Sequence, residues 1–145
     1  MTPAQTFQQF TQGLAQCWPP AGRGPDAPRA FIEPHVGGRW YERDAQGQLG
    51  LWGQVLAWTP PRGLVLAWQV GANGEFDPAL STEVEVAITP LSSTASLVSL
   101  EHRHLERFGA VAAAQEALVA SATGWVGILE RYCAAWCRRS ASCLA

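Results

Sequence analysis

The stretch RAFIEPHVGGRWYERDAQGQLGLWGQVLAWTPPRGLVLAWQV, residues 29–70, decides the fold. It reads as consecutive β-strands separated by turns at Gly37-Gly38, Ala45-Gln46-Gly47 and Pro60-Pro61-Arg62-Gly63. Proline presets φ in such turns and glycine closes them. On the strand Arg39 to Asp44, Trp40 and Glu42 share one face, while Arg39, Tyr41 and Arg43 share the other, because side chains alternate along a strand. On Leu49 to Thr59 the alternation predicts Trp52, Gln54, Leu56 and Trp58 on one face, with Gly50 and Gly53 marking a bend or a close backbone approach. Leu64, Leu66, Trp68 and Val70 line one face of the next strand. Pro34 confines the first strand, Arg29 to Val36, to an edge, a bulge or a strand end.

Beyond this stretch, Gly71 to Leu80 is a loop longer than most hairpin connections. Two more alternating strands follow, Ser81 to Thr89 and Ala95 to His104. In the second, Val98, Leu100, His102 and His104 are expected on one face, so both histidines point inward if the aliphatics do. After Glu106 the period becomes helical, first over Val111 to Ala120. A long final helix follows, with Trp125, Ile128, Leu129, Tyr132, Cys133 and Trp136 as its apolar stripe. At the other end, Thr2-Pro3-Ala4-Gln5 carries the signature of a capped helix start, with Phe7, Phe10, Leu14 and Cys17 on one face and Pro19-Pro20 as the stop. The order is a helix, about six antiparallel strands and a C-terminal amphipathic helix fit to cover one sheet face, an α+β domain.

The 145 residues are 48% hydrophobic and 15% charged, enough for one domain with its own core and too apolar for disorder. The net charge is −2 and there is no basic run, which argues against nucleic acid. No apolar stretch approaches the roughly 20 residues of a membrane helix, and the N-terminus lacks a signal-peptide pattern, so a cytoplasmic location is expected. The four cysteines, Cys17, Cys133, Cys137 and Cys143, are then free thiols. Cys133 and Cys137 lack further ligands at matching spacing, so no metal and no cofactor is expected.

The strings FIEPHVGGRWYERD, WGQVLAWTPPRGLVLAW, TEVEVAITP and LEHRHLERFG, followed by GW, resemble the activator-of-heat-shock-protein-90-ATPase-like family of the START and polyketide-cyclase superfamily. The resemblance spans nearly the whole chain. It implies a helix-grip fold, a curved antiparallel sheet wrapped around a long C-terminal helix with an apolar cavity between them. Family members begin with a strand ahead of the first helix. Here Met1-Thr2-Pro3-Ala4 stands at that point, so the first strand is expected to be missing. Either the start is truncated, or the sheet closes differently, or a second chain in a homodimer supplies the strand, since unpaired backbone groups inside a sheet are costly.

Within that fold, Trp40, Trp52, Trp58, Trp68, Phe76, Trp125 and Tyr132 are candidates to line the cavity, or simply to form the core. His102 and His104 beside Glu42 would form a polar spot in it, for ligand orientation or for acid–base chemistry. Residues Asn73 to Asp77 are a candidate lid. No nucleophile elbow, phosphate loop or metal string is present. The expected role is to bind a small apolar or aromatic molecule. The alternatives are a cyclase, dehydratase or hydrolase using His102, His104 and Glu42, and a chaperone-ATPase regulator that acts through protein contact, the role suggested by the family name.

Overall fold

The computed structural model describes residues 1–17, 29–71, 73 and 75–119. Helix α1 (Pro3–Cys17) precedes strands β1 (Arg29–Ile32), β2 (Arg39–Arg43), β3 (Leu49–Thr59), β4 (Gly63–Trp68), β5 (Thr82–Pro90) and β6 (Ser96–Arg103). A 3-10 segment (Leu105–Val111), broken at Gly109, leads into helix α2 (Ala112–Val119). The expected C-terminal helix, with Trp125 and Tyr132, lies outside the described residues.

The helix start is the predicted capping box. The Thr2 amide donates to Gln5 Oε1 at 3.0 Å, and the Gln5 amide donates to Thr2 Oγ1 at 3.3 Å. Two donors left unpaired by helix geometry are thereby satisfied. The helix then buries Phe7 and Phe10 in the sheet core, where each such side chain contributes roughly 1.5–3 kcal/mol. Phe7 meets Trp58 edge-on at 5.0 Å. The chain start is held at the far side of the sheet, where Met1 donates to the Thr94 carbonyl and accepts from Ser96 Oγ at 2.9 Å.

The six strands form one curled antiparallel sheet in chain order, β1 through β6. Short turns force most of this meander, since a strand so joined can reach only the next, and the longer connection from β4 returns to pair β5 beside it as well. Asp44 Oδ1 clamps one turn by accepting from the Gln46 and Gln48 amides at 2.9 and 2.8 Å. Gly47 takes the left-handed conformation there, with φ of 81°. Among the described residues no strand lies between β1 and β6, which are the two edges.

β3 departs from simple alternation. It pairs with β2 over Leu49 to Gln54 and with β4 over Val55 to Thr59, and the register shifts once on each side. The extra residues are Trp52 against β2 and Leu56 against β4, which makes each a bulge. Their effect corrects the expected facing: Val55 is buried at 1% exposure, while Leu56 is 37% exposed. Trp52 and Trp58 still both pack inward, because two bulges separate them.

The outer face of β1 and β2 is a ladder of cross-strand pairs. Arg29 stands opposite Arg43, and Phe31 stacks on Tyr41 at 5.6 Å. Arg39 bonds Glu33 through Nε at 3.0 Å and Nη2 at 3.2 Å, and holds the Glu33 carboxyl below its ordinary range. At the other end of the sheet, Arg103 bridges Glu83 and Glu85 of the neighbouring strand.

Candidate functional site

The inner face carries three tryptophans in mutual contact. Trp40 and Trp52 meet edge-on with centroids 5.6 Å apart, Trp40 and Trp68 lie 5.2 Å apart, and Trp52 and Trp68 lie 5.6 Å apart. They come from β2, β3 and β4, so the sheet itself brings them together. Such tilted and edge-on pairs contribute about 0.5–1.5 kcal/mol each beyond burial. Trp40 is completely buried and Trp52 nearly so, while Trp68 is half-buried.

His102 extends this wall from β6. Its ring lies 6.2 Å from Trp68 and 6.4 Å from Phe108, edge-on to both. Its Nε2 is 2.8 Å from Thr82 Oγ1, which in turn donates to the Trp68 carbonyl at 3.0 Å. Thr82 is fully buried. Burial pushes the His102 pKa down to about 4, so the imidazole is uncharged near pH 7. The wall therefore carries a polar group without carrying a charge.

The histidines separate. The inward strand ends at Arg103, and His104 adopts a left-handed conformation with φ of 62°. That turn places its ring on the outer face, with Nε2 3.5 Å from Glu83 and Nδ1 3.6 Å from Glu106. The expectation of both histidines on one inward face is corrected accordingly. Glu42 does face inward, but beside Ala30 and Gly50 at the β1–β3 end of the sheet, whereas His102 is on β6. Trp58 is taken up by contact with Phe7 of α1.

Phe76 is 38% exposed and pairs by an isolated bridge with Val70. The turn around it is tied down by the Gly71 amide to the Glu75 carbonyl and the Asp77 amide to the Gln69 carbonyl, at 2.9 and 2.8 Å. Thr82 and Phe108 were not singled out from the sequence. Thr82 shares parity with Val84, Val86 and Ile88, and that pattern was signal enough to place it inward. Among the described residues no group of three His, Cys, Asp or Glu side chains could hold a metal ion, and no helix is long and apolar enough to cross a membrane.

The depressed His102 pKa has a measurable consequence. An unfolded chain takes up the imidazole proton near pH 6.5, and the folded protein only near 4. Between these values the unfolded state binds more protons, so stability falls as pH drops from 6.5 toward 4. Urea midpoints for wild type and His102→Gln should therefore converge between pH 7 and pH 4.5. A gap that stays constant would show that the ring is not held neutral by burial.

A curled antiparallel sheet with its aromatic face turned inward is the helix-grip architecture, and solved structures share it. The chain belongs to the family described as Activator of Hsp90 ATPase homolog 1-like protein, which matches residues 1–132. It is similar to the anthrahydroquino-γ-pyrone synthase Txn09 complexed with SUM, at 32% identity over 90% of this chain and 87% of that one, with a TM-score of 0.62. It is also similar to CalC from Micromonospora echinospora, a self-sacrificing resistance protein, at 26% identity over 97% and 90% of the two chains, with a TM-score of 0.65. Protein NE0264 from Nitrosomonas europaea, at 15% identity over 91% and 84% with a TM-score of 0.64, shares the fold. A comparison with curated proteins gives no match.

Proposed function

We propose that the protein binds a small aromatic molecule against the tryptophan face of its sheet. One observation carries this reading: three packed indoles end in an uncharged polar pair, His102 and Thr82. Ligand sites combine apolar walls with a few placed polar groups in just this way. The name of Txn09, a synthase of a fused aromatic product, supports a flat polycyclic ligand class. The same name favours a second reading, an enzyme of the cyclase type, in which His102 and Glu42 are the inward ionisable groups. The chaperone role in the family's description ranks third, because the polar pair faces inward rather than toward a partner.

The test begins with native mass spectrometry of the protein purified from its own host. A reproducible extra mass of a few hundred daltons, lost on denaturation, is the expected result. In parallel, titration with 1,8-dihydroxyanthraquinone should quench the tryptophan fluorescence to saturation. No added mass together with unchanged fluorescence would overturn the binding reading. Turnover of a bound polyketide that survives His102→Gln would remove His102 from the enzyme reading.

A further inference from the structure

We propose that the outer edge of β6 is a self-association site, at which β6 of one protomer pairs antiparallel with β6 of a second copy about a two-fold axis through Ser99. The two sheets then run on into one another. The inference stands apart from the binding function proposed above, since the residues that carry it, Val98, Ser99 and Leu100, take no part in the tryptophan wall.

The backbone groups that face the edge follow from the ladder. The Ile88 amide donates to the Arg62 carbonyl at 2.7 Å, on the β4 side of β5. The N–H and C=O of one strand residue point to the same side, and successive residues alternate. Ala87 and Thr89 therefore face β6, where Ser99 and Leu97 stand opposite them. Val98 and Leu100 turn their amides and carbonyls the other way, toward the edge. The chain start reaches the strand ahead of these residues, at the Thr94 carbonyl and the Ser96 hydroxyl.

Nothing in the strand guards this edge. β6 keeps eight residues in unbroken register with β5, with no proline, no lysine and no bulge, the devices by which single edges avoid pairing. The opposite edge is guarded: β1 has four residues, and Pro34 follows closely. Burial marks the same difference. Val86 and Ile88 on β5 are 2% and 4% exposed, whereas Leu100 and Val98, opposite them on β6, are only half-buried. The apolar inner face thus runs out to the edge and is incompletely covered there.

The strand is its own complement. With the axis at Ser99, Val98 meets the partner's Leu100 and Leu100 meets the partner's Val98. Four backbone hydrogen bonds join groups that face the edge, and two half-buried apolar pairs meet on the inner face. On the outer face Ser99 meets the partner's Ser99, and the exposed Leu97 lies against the stem of the partner's Glu101. No like charges are opposed in this register, whereas an axis at Glu101 would set two carboxylates face to face. A two-fold pairing also closes on itself and leaves neither β6 edge for a third copy.

Sedimentation equilibrium of the full chain at about 100 μM is expected to give a dimer. Ser99→Lys puts two ammonium groups across the axis at an exposed position, and should weaken the dimer several-fold while leaving the circular dichroism of the protomer unchanged. Ser99→Cys places two thiols at the close, non-hydrogen-bonded kind of pair, with Cα atoms about 4.5 Å apart and within disulfide reach. It should crosslink on mild oxidation above the background set by the four native cysteines of wild type. Leu97→Cys, whose counterpart is Glu101, should stay at that background. A monomer at this concentration overturns the proposal, as does a dimer that Ser99→Lys leaves intact and Ser99→Cys does not crosslink. If the lysine variant fails to fold, the two cysteine variants decide the matter.

Discussion

Trp40→Ala is expected to lower the unfolding free energy by about 3–5 kcal/mol, the range for emptying a fully buried aromatic position. Trp40 has 0% exposure and touches both other members of the triad, so its removal leaves a hole walled by Trp52 and Trp68. Its own strand is paired on both sides, which limits how far the hole can close. At this chain length each kcal/mol moves the melting temperature by roughly 2–4 °C, so a drop of about 10 °C or more is expected. Trp40→Phe should lose about half as much. Urea and thermal unfolding measure both. A loss below about 1 kcal/mol would show that Trp40 serves as an open wall rather than as core.

Gly53→Ala is the second large effect, for a different reason. A Cβ at Gly53 would lie 1.7 Å from the Ala67 carbonyl oxygen and 2.8 Å from its carbon. Both obstacles are backbone atoms, and no rotamer change moves them aside. β3 and β4 would have to part at the point where the Gln69 amide bonds the Trp52 carbonyl at 2.8 Å. A loss of about 3 kcal/mol or more is expected, at the upper end for overpacking. Gly47→Ala is the control. Its Cβ meets nothing within 4 Å, and only its φ of 81° resists, at a cost of about 1–2 kcal/mol. If the two variants unfold at the same urea concentration, the close approach of β3 and β4 at Gly53 is refuted.

Gly53 also shows how far the sequence could be read. Its place in a strand signalled a bend or a close backbone contact, and the contact is with Ala67. The capping box, the meander and the inward Trp40 were likewise legible, because each depends on spacing within a few residues. The facing of Leu56 was not. A bulge is a property of two strands in register, and neither strand reveals it alone. His104 escaped for a related reason: parity held up to Arg103, and a single left-handed residue then turned the chain to the outer face. Trp52 and Trp58 were correctly placed on one face, though by a rule that two intervening bulges break and then restore. Thr82 went unremarked because a threonine in an alternating strand looks ordinary until its neighbours across the ladder are known.

The two bulges also have a mechanical meaning. β3 is in register with β2 over its first half and with β4 over its second, and the two ladders overlap at its middle, where the Gln69 amide bonds the Trp52 carbonyl and Val55 bonds Gly37 and Gly38. The triad spans that overlap. Trp40 rides on the first ladder, Trp68 on the second, and Trp52 sits at the joint. The contact of Trp40 with Trp68 thus ties the two ladders together on the inner face. A change at any one of the three indoles is therefore felt on both ladders at once, and the curl of the sheet is set as one unit.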